Sequence, residues 1–125
     1  MHRPPTASGD VRRGDVCLIQ VPYVIGDDRH AAGKGPRRLV QAGADELLRD
    51  RGLGVTLAEV EREEPFRDSA SASLAVSKHL AQIVADVVAE GRFPLVLAGS
   101  FDVSKGVLSG FEHRRCGVVW IDRPR

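Results

Sequence analysis

The sequence predicts an α/β domain built on a partial, three-layer parallel sheet of about four strands with flanking helices. Three observations predict it. Val16–Val21 and Pro94–Gly99 are near-continuous apolar runs, the pattern of strands buried on both faces. Between them, Leu80, Ile83, Val84, Val87 and Val88 recur at helical spacing. The 125 residues, 42% hydrophobic and 28% charged, suit one globular domain.

Residues 1–13 read as a flexible leader, because Pro4-Pro5 and Ser8-Gly9 resist helix formation, and a single α/β domain is expected over 14–125. Val16–Val21 is the first strand, ended by Pro22. Residues 26–36, rich in glycine and charge, read as a flexible loop at its carboxyl end. Pro36 suits a first helical turn, and Leu39, Val40, Ala44, Leu47 and Leu48 carry an apolar stripe to residue 50, with Gly43 dividing it into two short helices. Val55–Val60 is a second, more exposed strand, ended by the charged run from Glu61 to Pro65.

The long helix follows, with Asp68 or Ser69 available to cap its first turn. Gly91 closes it, and Pro94–Gly99 is the third strand. A short helix is expected from about Val103 to Glu112, with Ser100 or Asp102 as caps. Cys116–Asp122 is the fourth strand, with Asp122 at its carboxyl tip. The alternation of strands and helices calls for right-handed parallel crossovers.

Net charge is +1, from 18 basic and 17 acidic residues, so no strong field draws the chain to nucleic acid. No run reads as the roughly 20 apolar residues of a membrane span, and the N-terminus lacks a signal peptide's apolar core. The expected compartment is the cytoplasm. Cys17 and Cys116 lie in strand-like runs with no CxxC-type spacing, and both read as buried, reduced thiols.

Candidate sites are few. Gly33-Lys34-Gly35 lacks the hydroxyl that a phosphate-binding loop places after its lysine. Asp27, Asp28 and His30 could chelate a cation, but neighbouring acids in a loop are more often simply solvated. His79 stands beside the helical stripe without a ligating neighbour and receives no role. Ser100 is not in a G-x-S-x-G elbow, and no residue is assigned as catalytic.

Two segments carry a resemblance. Leu95–Gly99, Gly106 and Leu108–Gly110, then Val119–Asp122, resemble the arginase and agmatinase family of ureohydrolases. There, a strand runs into Gly-Gly-Asp-His-Ser, and the next ends Trp-Val-Asp-Ala-His-x-Asp. Similarity continues upstream through Gly35-Pro36, Gly43 and Leu47, covering most of 14–122. The resemblance implies manganese as cofactor, a small guanidinium-type substrate, a loop at 26–36 that closes over it, and a homo-oligomer as one arrangement. It also implies an eight-stranded family sheet in which later strands are inserted between the third and fourth.

The departures are specific. Phe101 stands where the first motif has its metal-binding histidine, and Ser100 stands where it has aspartate. Pro124 stands where the second motif has its next histidine, which leaves Asp122 as the one metal ligand carried over. A dinuclear site needs several carboxylate and imidazole donors to replace the water of two ions. The expected function is therefore that of an arginase-family chain, metal-dependent hydrolysis of a guanidinium C–N bond in the parent family, with this chain inactive alone. A non-catalytic fragment or interaction subunit, and a small nucleotide-binding α/β domain, are the alternatives. Asp122-Arg-Pro-Arg125 is what one inserted cytosine makes of codons for Asp-Ala-His-Ala, so a frameshift or truncation is expected. Sequencing the DNA beyond codon 125 should reveal a further ureohydrolase-like strand in the shifted frame, and its absence there would remove the idea.

Overall fold

A computed structural model describes residues 14–62 and 67–123. The leader expected over 1–13, most of the acidic run before Pro65, and Pro124 lie outside the described residues. The sheet is parallel, with order β2-β1-β3: β1 is Val16–Val21, β2 is Val55–Glu59 and β3 is Phe93–Ala98. In register, Ile19 lies between Ala58 and Val96.

β1 is central because its residues can be apolar toward both faces. Cys17, Ile19 and Val21 point into the main core, and Leu18, of opposite parity, is fully buried as well. β2 has more exposed residues, as its alternating sequence predicts. Arg37 reaches across to Glu59 at 2.6 Å, and Arg92 donates to the Thr56 hydroxyl at 2.6 Å, tying this edge strand to its surroundings.

Two short helices, α1 (Gly35–Gln41) and α2 (Ala44–Asp50), follow β1 and contact the sheet. Pro36 occupies the first turn of α1, where its absent N–H has no intrahelical partner to lose. Gly43 separates the two helices with φ 104°, a conformation open to glycine at little steric cost. Residues 31–34, expected as loop, form a 3₁₀ turn that leads into α1.

α3 (Ser69–Ala89) begins at Asp68, whose carboxylate accepts the Ser71 N–H at 2.7 Å. Val76, Leu80, Val84 and Val87 are its buried stripe, packed with Cys17, Ile19, Val21 and Val60. Burying each such side chain contributes about 1.5–3 kcal/mol. By length and composition alone α3 could cross a bilayer, which corrects the sequence reading that no run does; here its stripe packs on the sheet.

The expected helix over 103–112 is shorter, a 3₁₀ turn at Phe101–Val103 leading into α4 (Ser104–Ser109). α4 crosses α3 closely, and the sequence of both helices permits it. Ser73, Ser77 and Ala81 form a four-spaced row of small residues on α3, while Gly106 and Gly110 are four apart at the facing side of α4. A Cβ at Gly106 would lie 2.7 Å from the Ser77 carbonyl oxygen, and one at Gly110 would lie 2.5 Å from a Val84 methyl. Neither Ser100 nor Asp102 caps this segment as expected, because the Ser100 hydroxyl donates to the Asp102 carboxylate instead.

The fourth strand is also corrected. Residues 115–123 pair with no strand among those described, and Val119 and Ile121 are 86% and 90% exposed. A strand needs a neighbour's N–H and C=O groups as well as apolar, β-branched sequence. β1 has both edges occupied, and this segment does not reach the outer edge of β3. Cys116, expected to be buried, is exposed for the same reason; Cys17 is buried, and both thiols are free.

The Gly106–Ser77 approach leaves no room for a methyl group against backbone. Gly106→Ala should therefore lose about 1–3 kcal/mol in urea denaturation. Gly117→Ala, with no left-handed φ and open space at the added carbon, should match the parent's stability within about 0.5 kcal/mol. Equal midpoints for Gly106→Ala and the parent would refute the close crossing.

Candidate functional site

In a parallel sheet the carboxyl ends of the strands form the natural rim for a site. Here the rim is built around Gly99. Its N–H donates to the Val21 carbonyl at 3.3 Å, and a Cβ there would lie 2.6 Å from the Tyr23 carbonyl oxygen and 2.8 Å from Gly33 Cα. The turns after β1 and β3 and the 3₁₀ turn at 31–34 thus converge on a point where a side chain would not fit.

Beside it lies a polar strut. Asp102 accepts from the Ser73 hydroxyl of α3 at 2.7 Å and from the Ser100 hydroxyl, and the Ile25 N–H approaches Ser100 Oγ at 3.4 Å. Ser73 is buried, so this carboxylate satisfies a hydroxyl that water cannot reach. The strut links the loop after β1, the turn after β3 and the start of α3. Its hydrogen bonds serve the structure; among the described residues neither hydroxyl is paired with a histidine that could activate it.

The loop after β1 is well anchored. Val24 and Asp27 exchange backbone hydrogen bonds at 2.7 and 2.9 Å, and Gly26 presses on Ala72 of α3. Ile25 between them has φ 50°, rare for a β-branched residue. Arg62 donates to the Gly26 carbonyl, and its guanidinium sits 5.6 Å from the centre of the Tyr23 ring. Burial raises the Tyr23 phenol above its ordinary value.

This loop and the start of α3 border an open cleft of about 320 Å³, lined by Asp27, Asp28, Arg29, Arg62 and Asp68 among others. The Arg29 side chain grips Asp27 through two bonds of 3.0 Å, and the Arg29 backbone N–H adds a third at 2.9 Å. These bonds hold the Asp27 carboxyl well below the usual range. The chelating trio weighed from sequence, Asp27, Asp28 and His30, therefore presents one acid already engaged by a cation, with His30 3.8 Å away from it. The His79 ring donates from Nδ1 to the Glu61 carbonyl, 3.0 Å away.

A second open cleft, about 430 Å³, is lined by Phe101, Val119, Trp120, Ile121 and Asp122. The structure therefore brings to one cleft Phe101 and Asp122, two of the three positions compared above with metal-ligand positions; the third, Pro124, lies outside the described residues. Phe101 offers an exposed ring with no lone pair, and the Asp122 carboxylate accepts the neighbouring Arg123 N–H at 2.7 Å. Among the described residues no group of three or more His, Cys, Asp or Glu side chains converges to hold a cation. The donors present do not fit a pair of divalent ions, which need several anionic or imidazole ligands.

Sequence reasoning missed Arg62, Tyr23 and the pairing of Ser73 with Asp102. The small-residue row on α3 was a signal for the α3–α4 crossing; nothing local marks the partner of Asp102.

A three-stranded parallel sheet with helices packed on it, and turns converging at the strand tips, defines an α/β protein with its candidate rim at the carboxyl ends of the strands. The family model described as the arginase family matches residues 14–123, and the chain belongs to that family. It is 33% identical over 119 residues to an arginase of Bacillus caldovelox, covering 86% of this chain and 40% of that protein. It is 32% identical over 116 residues to human Arginase-1, covering 84% and 36%. Its fold superposes on the crystal structure of Bacillus subtilis arginase with a TM-score of 0.68 at 30% identity, covering 78% of this chain and 33% of that one. The Bacillus cereus arginase structure gives 0.67 at 30% identity, covering 78% and 34%. The chain spans about two fifths of the length of the curated relatives it matches, and corresponds to an N-terminal portion of their fold.

The acid limb of stability tests the cap of α3. The Ser71 backbone N–H, then its hydroxyl, lower the Asp68 carboxyl below its ordinary value. A carboxyl depressed by folding stabilises above its unfolded pKa, about 3.9, and that contribution is lost as pH falls through the folded value. Asp68→Asn keeps an acceptor but does not titrate, so its thermal midpoint should fall less steeply than the parent's below about pH 4. Superimposable acid limbs would show that the cap does not titrate as described.

Proposed function

We propose that this chain is a portion of an arginase-family hydrolase scaffold and does not hydrolyse a guanidinium compound by itself. The parent chemistry adds a metal-activated hydroxide to a guanidinium carbon of a small molecule and releases urea or a related amide. The observation that carries the reading is the composition of the Phe101–Asp122 cleft. It holds one carboxylate, an aromatic ring in place of an imidazole, and no second side-chain donor among the described residues. No catalytic step is assigned to the residues of this chain.

What the residues do is structural. Gly99 lets the strand tips close together, and Asp102 ties the turn after β3 to α3. They shape the rim on which a site of this family class stands. Manganese as the metal, and the cytoplasm as the compartment, belong to the proposal as expectations of the family and the sequence. The nearly balanced charge supports a small-molecule rather than a nucleic-acid context.

Purified full-length chain with added manganese should release no urea from arginine or agmatine, and no formamide from formiminoglutamate, above a blank without protein. Calorimetric titration should show no tight uptake of two manganese ions. Turnover at an enzymatic rate, or stoichiometric tight binding of two ions, would overturn the reading.

A further inference from the structure

The walls of the Phe101–Asp122 cleft do not suit a metal pair, and they are distinctive in another way. Phe101, in the 3₁₀ turn after β3, is 73% exposed, and Trp120, the one tryptophan of the chain, is 58% exposed. Both line a cleft of about 430 Å³ whose other lining residues are Val119, Ile121 and Asp122. Volumes of this order are those of small-molecule sites. Four of the lining residues are apolar or aromatic, and no lysine, arginine or histidine stands among them to balance the Asp122 carboxylate.

This lining discriminates between ligand classes. An anion would meet the carboxylate, and a neutral apolar molecule would take that carboxylate out of water with nothing to offset its charge. A divalent ion would lack the further oxygen and nitrogen ligands it needs, since among the described residues no group of three or more such side chains converges. A flat guanidinium is best held by paired bonds to both oxygens of a carboxylate, and the Asp122 carboxylate already accepts the Arg123 N–H at 2.7 Å. A quaternary ammonium needs no such bonds. It donates no hydrogen bond, its methyl groups suit apolar walls, and its charge is attracted to the negative faces of aromatic rings.

We propose that this cleft is a binding site for a quaternary ammonium group, held by the Phe101 and Trp120 rings and by the charge of Asp122. This rests on the reading of the cleft as one that holds no metal pair, and it gives the same cleft a ligand outside the guanidinium class.

Trp120 emission reports the cleft directly in the full-length chain, because no other tryptophan is present. Titration with choline chloride, at ionic strength held constant with sodium chloride, should change that emission along a saturable curve. 3,3-Dimethylbutanol, which has carbon in place of the nitrogen and no charge, should bind at least about tenfold more weakly, as should methylguanidinium. Asp122→Asn and Phe101→Leu, both at exposed positions, should each weaken choline by about threefold or more, while Phe101→Tyr keeps a ring and should bind like the parent. Phosphatidylcholine vesicles carry the same group: a response tighter than that to free choline identifies a lipid headgroup as its source, and an equal or weaker one a soluble molecule.

Emission that changes linearly with choline and never saturates overturns the inference. So does an equal response to the uncharged alcohol, tighter binding of methylguanidinium, or unaltered affinity in Asp122→Asn. Manganese uptake is followed by calorimetry in the same samples without choline. Two ions bound tightly would refute the metal-free reading and this inference with it, whereas no saturable choline response in a chain that takes up no manganese overturns this inference alone.

Discussion

Everything in this fold leans on β1 being enclosed on both faces and paired along both edges. Leu18 and Ile19 point to opposite sides and are both fully buried, which is open only to a central strand of a layered sheet. α3 has its apolar stripe against one parity of β1, while α1 and α2 follow its carboxyl end after a loop and the 3₁₀ turn at Ala31–Lys34. The rim inherits its geometry from the same strand: Val21 supplies the carbonyl that fixes Gly99, and Tyr23 supplies the wall that Gly99 touches. Among the described residues β3, by contrast, is paired on one edge only, and its exposure is the counterpart of that asymmetry.

Local signals in the sequence reached far. The continuous apolar run of β1, the division of α1 from α2 at Gly43 and the Asp68 cap of α3 depend on residues within a few positions of one another, and the structure reproduces them. The failures share a different origin. Cys116–Asp122 has strand-like sequence but no ladder, and a ladder depends on partners far away along the chain. The exposure of Cys116 has the same origin. Ser100 looked like a cap because its neighbour in sequence starts a helix, but its hydroxyl serves Asp102, which in turn serves Ser73 across 29 positions. The contacts of Arg62 with Gly26 and the Tyr23 ring are equally remote in sequence.

The two clefts and the rim are held by different means. Phe101 and Asp122 line one cleft, in which the carboxylate is the one acidic group among the lining residues. Backbone geometry at the rim does not depend on that cleft, since Gly99 and the Asp102 strut act through packing and hydroxyl bonds alone. Fold and chemistry are separable here at the level of single residues.

The left-handed conformation of Ile25 bears on how this rim can move. A β-branched residue held at φ 50° stores on the order of 1–3 kcal/mol, and it persists because Gly26 is wedged against Ala72 while Arg62 clasps the Gly26 carbonyl. Such a segment behaves as a cocked spring rather than a free flap. Releasing the clasp would let the backbone relax toward ordinary angles, so opening would be assisted and reclosure would have to rebuild the tension.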